Sequence, residues 1–168
     1  VWDPETPVGG NVKGDITIVE FVDYRCGYCK RAHSVIKKII RDDGAIRYVI
    51  KDFPILGPKS ITASRAALAV WRTTPEKHAA YHDEMMSIRG SIDEQRVIAT
   101  AKKLGIDKDV LKKAMADKAI DAVLAKNFKL AEALNINGTP AFVIGDQLVP
   151  GAVDLATLKK LVAEARED

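Results

Sequence analysis

Apolar residues change their spacing along this chain, and each change predicts a different kind of element. Ile16–Val22 (ITIVEFV) is a β-branched run of strand length with apolar residues on both faces. That is the pattern of a central strand buried on both sides. After it, Ala32, Val35, Ile36, Ile39 and Ile40 recur at helical spacing and form one apolar stripe. Gly44 stands where a glycine stops a helix. Ile46–Phe53 (IRYVIKDF) is a second strand, ended by Pro54. Strand, helix, strand in this order predicts a parallel βαβ unit. Val1–Gly14, rich in Gly and Pro, reads as a loop or extended lead-in.

From Lys59 the pattern is helical and rich in alanine. Ser60–Arg72 is one helix, whose stripe of Ala63, Ala66, Ala67, Val70 and Trp71 is expected to pack. Pro75 fits the first position of a second helix. Ser91 and Glu94 form a capping-box pair opening a third, which Gly105 ends. Two more are expected near Asp109–Ala116 and Ala119–Leu134. Strand signals return at Ala141–Ile144 and Gln147–Val149, joined by Gly145-Asp146. Gly first in that pair is the signature of a type II′ hairpin. Asp154 caps a last helix through Glu164. The layout is β-α-β, a helical block without strands, then β-β-α, which places the chain in the α/β class.

Charge narrows the function classes. The balance of 26 Lys and Arg against 23 Asp and Glu gives +3, too mild to imply nucleic acid, and the lysines are spread among acids. No apolar run is long enough to span a membrane. The chain opens with Val1, so it is expected to be processed or trimmed, with an N-terminal element removed.

The two cysteines carry the chemistry. Cys26-Gly27-Tyr28-Cys29 falls where the first strand ends and a helix begins. A helix N-terminus leaves N–H groups unpaired and carries partial positive charge. Both favour a thiolate at Cys26, and the thiolate is the nucleophile of disulfide exchange. The second marker is Gly138-Thr139-Pro140 before the third strand. A strand-start proline tolerates a cis bond. Here it would turn the Thr139 backbone outward to pair with an extended peptide.

With these residues together, the chain resembles the thioredoxin superfamily. The helical block makes it similar to the DsbA-like branch of bacterial periplasmic thiol-disulfide proteins. VEFVDYRCGYCK, DFPILGP and GTPAFVIGDQLVPG resemble the ScsC (suppressor of copper sensitivity) type. The resemblance implies a thioredoxin fold with an inserted all-helical subdomain: residues 1–58 and 128–168 form the thioredoxin domain, and 59–127 the insertion. It implies a periplasmic location and a cis Thr139-Pro140 bond facing the cysteines. Cys26 would attack and Cys29 resolve, with Gly27, Tyr28, Thr139 and Pro140 at the substrate. The family's buried acid falls on Glu20, expected near Cys29 as its proton acceptor, with Lys51 as a charge partner. Oxidases of the DsbA type carry Pro-His between the cysteines. Gly27-Tyr28 matches the isomerases of the DsbC type instead and gives the activity an isomerase or reductase lean. The partners implied are proteins with disulfides or thiols and a membrane redox partner of the ScsB/DsbD type. No cofactor beyond the thiols and no metal is implied. Isomerising relatives assemble through an N-terminal segment, and here the core begins soon after Val1. The chain as given is therefore expected to be a monomer, an oligomer only with a missing N-terminal segment.

A reading from another class is a copper-binding or copper-protecting module using Cys26, Cys29 and His33, which have soft-ligand spacing. His33 is otherwise a helix-surface residue, and His78 and His82 are expected to be solvent-exposed.

Overall fold

The strand Ile16–Val22 is the middle of a five-stranded sheet, as its two apolar faces require. The computed structural model describes residues 3–168. Its strands are β1 (Val8–Gly10), β2 (Ile16–Val22), β3 (Ile46–Asp52), β4 (Ala141–Ile144) and β5 (Gln147–Pro150), in the order β1-β3-β2-β4-β5. The helix α1 (Gly27–Asp43) crosses from β2 to β3, and those two strands pair in parallel. The other pairings are antiparallel. Gly44, at φ 73°, closes α1 with its N–H on the Ile40 carbonyl. In the β4–β5 turn Gly145 has φ 60° while Asp146 is not left-handed, as a type II′ turn demands.

Strand β1 was not expected. It is three residues long and two of them are glycines, so a single β-branched residue, Val8, is all it offers to reveal it. The glycines serve a close approach: at Gly10, with φ +65°, a Cβ would lie 2.5 Å from the Ile46 carbonyl oxygen.

The helical block holds α2 (Pro58–Thr73), α3 (His78–Ser87), α4 (Glu94–Lys103) and α5 (Lys108–Met115), before α6 (Lys118–Ala133) returns the chain to β4. The alanine stripe packs: Ala63, Ala66, Ala67 and Val70 are fully buried, and Trp71 is half-buried. Pro75 opens only a single 3-10 turn ahead of α3. The capping pair at Ser91 does not form. Asp93 caps α4 through the Arg96 N–H at 2.8 Å, and the Ser91 hydroxyl is engaged by Lys59. The boundary expected at 127/128 falls inside α6, which runs unbroken across it. The last helix, α7 (Leu155–Glu167), starts at Asp154 as expected and runs beyond Glu164.

The sheet has two unlike faces. Ile18, Tyr48 and Ile50 join the large core with α1, α7 and the helical block, while Phe21 and Phe53 join a smaller cluster with Ala131 and Ile136. Among the described residues no helix is long and apolar enough to cross a membrane.

Candidate active site

The β2–α1 corner is tied down before the first cysteine is reached. Asp23, fully buried, accepts the Cys26 N–H at its carbonyl (3.0 Å) and the Arg25 N–H at Oδ1 (2.9 Å). Its Oδ2 accepts the N–H groups of Ile55 and Leu56, at 2.9 and 3.1 Å, from the loop after β3. One carboxylate thus joins the two strand ends beneath the site. Sequence reasoning missed this residue. Its signal was an Asp in a tight strand-to-helix turn, where the side chain bonds the backbone two residues on.

Cys26 is the N-cap of α1. Its Sγ takes the place of the usual capping oxygen and accepts the Cys29 N–H at 3.3 Å. The first turn contains no acid to offset the helix dipole. Hydrogen bonding from the Cys29 thiol, assisted by Thr139 and by backbone N–H groups, holds the Cys26 pKa down at about 6 against the opposing effect of burial. The same bond to Cys26, together with burial, pushes Cys29 up. Both cysteines are free. Cys29 is fully covered and Cys26 is 6 % exposed, so the expected exposed nucleophile shows solvent only a narrow edge. Gly27 is the first residue of α1, and Tyr28 stands 62 % exposed beside it.

Antiparallel pairing of Phe21 with Ala141 brings the Thr139–Pro140 loop to the cysteine end of β2. The Thr139–Pro140 bond is cis, as expected. The Thr139 carbonyl lies 3.3 Å from Cys26 Sγ, 113 residues away in sequence. Pro140 is buried and Thr139 half-buried.

Glu20 is 1 % exposed on β2, and its Oε2 accepts a short hydrogen bond from the Tyr48 hydroxyl. Burial raises its pKa to about 8; the Tyr48 bond lowers it, and negative charge on Cys26 raises it further. The expected partner, Lys51, does not meet it. In the β2–β3 register Glu20 lies beside Ile50 and Phe21 beside Lys51, so Lys51 emerges on the opposite face, with Nζ 3.0 Å from Thr6 Oγ1. Tyr48, two residues before Ile50, shares Glu20's face and was missed. A second acid on that face is Asp52, fully buried and pushed up to about 7 by burial. Its carboxylate oxygens accept no hydrogen bond among the described residues; the neighbouring Ser64 hydroxyl eases the shift without reaching bonding geometry.

The three histidines are buried, contrary to expectation; distant elements supply hydrogen-bond partners to His33 and His82, while His78 has ring contacts with Trp71 and His82. His33 Nε2 lies 2.8 Å from Asp83 Oδ1. His82 Nδ1 lies 2.7 Å from the Tyr24 hydroxyl, and its ring stacks on His78 with centroids 6.0 Å apart. Burial lowers both His78, to about 4, and His82. Cys26, Cys29 and His33 are not assembled into a metal-binding group, and among the described residues no three His, Cys, Asp or Glu side chains are.

Comparison with known proteins agrees with this geometry. Residues 17–163 match the family described as DSBA-like thioredoxin domain. A thioredoxin-like oxidoreductase from Silicibacter pomeroyi DSS-3 is 40% identical, with a TM-score of 0.94 over 99% of this chain and 95% of that one. The catalytic domain of Proteus mirabilis ScsC is 32% identical, with a TM-score of 0.90 over 99% and 92%. The Na(+)/H(+) antiporter NhaA 1 of Salinispora arenicola is 26% identical over 97% of this chain. The chain spans only 25% of that relative's length.

Proposed function

The chain belongs to the DsbA-like thioredoxin-domain family, and on that premise we propose that it is a periplasmic protein thiol-disulfide oxidoreductase with an isomerase or reductase lean. The observation that carries this reading is Cys26 Sγ at the α1 N-terminus, held between the Cys29 N–H and the Thr139 carbonyl at 3.3 Å each.

In the reductive direction the Cys26 thiolate attacks a substrate disulfide. A Cys26–substrate S–S bond forms, the substrate S–S bond breaks, and one substrate sulfur leaves as a thiolate. Loss of the Cys26 charge removes the repulsion that adds to burial in raising Glu20; the Glu20 proton passes to the departing substrate thiolate, directly or through solvent, and leaves a carboxylate to take the Cys29 proton. The Cys29 thiolate then attacks Cys26 Sγ. The Cys26–Cys29 disulfide forms and the second substrate thiolate departs. Two electrons have passed from dithiol to substrate, and a membrane dithiol partner of the ScsB/DsbD type returns them. The reverse sequence oxidises a substrate. In isomerisation a substrate thiol, not Cys29, releases the mixed disulfide. Tyr28, Gly27 and the Thr139–Pro140 loop surround the reacting sulfur and form the surface for the substrate chain. The lean toward isomerisation and reduction is supported by Gly27-Tyr28.

The test is trapping. Reduced Cys29→Ser protein incubated with oxidised insulin should accumulate a mixed disulfide at Cys26, and Cys26→Ser should accumulate none. Trapping that persists through Cys29 after loss of Cys26 would overturn the assignment. The redox state of the pair in the periplasm then reads the direction: mostly reduced for isomerase or reductase, mostly oxidised for oxidase.

A further inference from the structure

A cleft of about 700 Å³ opens beside the first residue of α1 and runs along that helix toward α3 and the Ile88–Arg89 segment. Its charge is one-sided. Lys30, Arg31, Lys37 and Arg89 line it, and Asp83 is its only carboxylate. That carboxylate is already occupied, by Lys37 Nζ at 2.7 Å and His33 Nε2 at 2.8 Å. Lys30, Arg31 and Arg89 hold no carboxylate among the described residues, although Arg65, Arg72 and Arg166 elsewhere each do. Arg31 instead lies over the Tyr28 ring at 4.4 Å, which sets a cation on the aromatic side chain next to Cys26. Lys30 donates a short hydrogen bond to the Ile88 carbonyl, and this fixes its ammonium in the cleft wall.

We propose that this cleft receives an acidic, extended stretch of the protein substrate while the adjoining substrate sulfur engages Cys26. The proposal rests on the oxidoreductase reading and names its substrate class. Three observations select such an occupant. The uncompensated cations call for an anionic one. The cleft begins at the CxxC turn, so what fills it is continuous with the group reacting there. From Gly27 to Lys37 the helix rises about 15 Å, the length of about four or five extended residues. Asp or Glu within that distance of a substrate cysteine therefore meets Arg31 and Arg89. The mild net charge of the whole chain makes this a local preference and not general adhesion to polyanions.

The experiment uses the reduced full chain and three short peptides. Each carries one cysteine as a mixed disulfide with β-mercaptoethanol, and the flanking residues are all Glu, all Ser or all Lys. At low salt the Glu peptide should be reduced about tenfold faster than the Lys peptide, and added salt should erase most of the difference. The double substitution Arg31→Glu with Arg89→Glu should reverse the order, whereas Lys129→Glu with Lys159→Glu, outside the cleft, should preserve it. The readout is the ratio of two rates on one protein, so a change in Cys26 reactivity cancels. Equal rates for the three peptides, or a preference that survives the Arg31 and Arg89 substitutions, overturns the cleft proposal alone. Failure to reduce any of the three overturns the oxidoreductase reading and this proposal with it.

Discussion

Adjacent strands each bury a carboxylate on the same face of the sheet, Glu20 on β2 and Asp52 on β3, and the two are served differently. Glu20 has the Tyr48 hydroxyl and feels the charge on Cys26. Asp52 accepts no hydrogen bond at its carboxylate among the described residues, and the charge that raises it after burial is that of Asp23, the structural acid of the corner. Burial alone therefore does not mark a catalytic acid. What distinguishes Glu20, the proton acceptor proposed for Cys29, is that negative charge on Cys26 adds to the effect of burial on its proton affinity. Asp52 answers only to its surroundings.

The largest expected difference lies in the second chemical step. Glu20→Gln should slow release of the mixed disulfide by about a hundredfold, the lower range for loss of a general base. Asp52→Asn should change it less than about threefold, a difference below roughly 1 kcal/mol. Single-turnover release of a trapped peptide measures both. Equal slowing by the two variants would break the comparison.

Stability should treat the two acids alike. Each binds its proton more tightly folded than unfolded, so each favours folding most below its ordinary pKa and loses that contribution as pH rises. The window runs from 4.5 to about 8 for Glu20 and from 3.8 to about 7 for Asp52. Urea unfolding of the reduced protein should show stability falling across these windows. Removing either carboxyl should flatten the fall by about 4–5 kcal/mol. A slope unchanged in both variants would contradict the burial argument.

Tyr48→Phe tests the smaller component. The hydroxyl favours ionised Glu20, so its loss should raise the Glu20 pKa and slow resolution about tenfold near neutral pH, the equivalent of a hydrogen bond of roughly 1.5 kcal/mol. The loss should diminish only where the pH exceeds the variant's raised Glu20 pKa, above the value of about 8 that the Tyr48 bond helps to hold. A pH-independent decrease would assign Tyr48 to packing alone.

The parts of this site that were legible in sequence are those whose signals are local. Cys26-Gly27-Tyr28-Cys29 lies at a strand-to-helix change of period, and Thr139-Pro140 lies at a strand start. Both needed only neighbours in sequence to be placed. Glu20 was legible as a position, but its partner was not. Choosing Tyr48 over Lys51 depends on the β2–β3 register, and a shift of one residue exchanges the two faces. The histidines were misread for a related reason. A polar ring on a helix reads as exposed unless its acceptor is known, and Tyr24 lies 58 residues from His82, as Asp83 lies 50 from His33. β1 was invisible because two of its three residues are glycines, required by close approach to β3.

The most direct test of the account is the pH dependence of alkylation of the reduced protein, with the modified cysteine identified by peptide mapping. Cys26 should be modified first, with a midpoint near pH 6, while Cys29 stays protected throughout. Equal labelling of both, or a Cys26 midpoint at the ordinary thiol value near about pH 8.5, would contradict the division of roles between the two sulfurs.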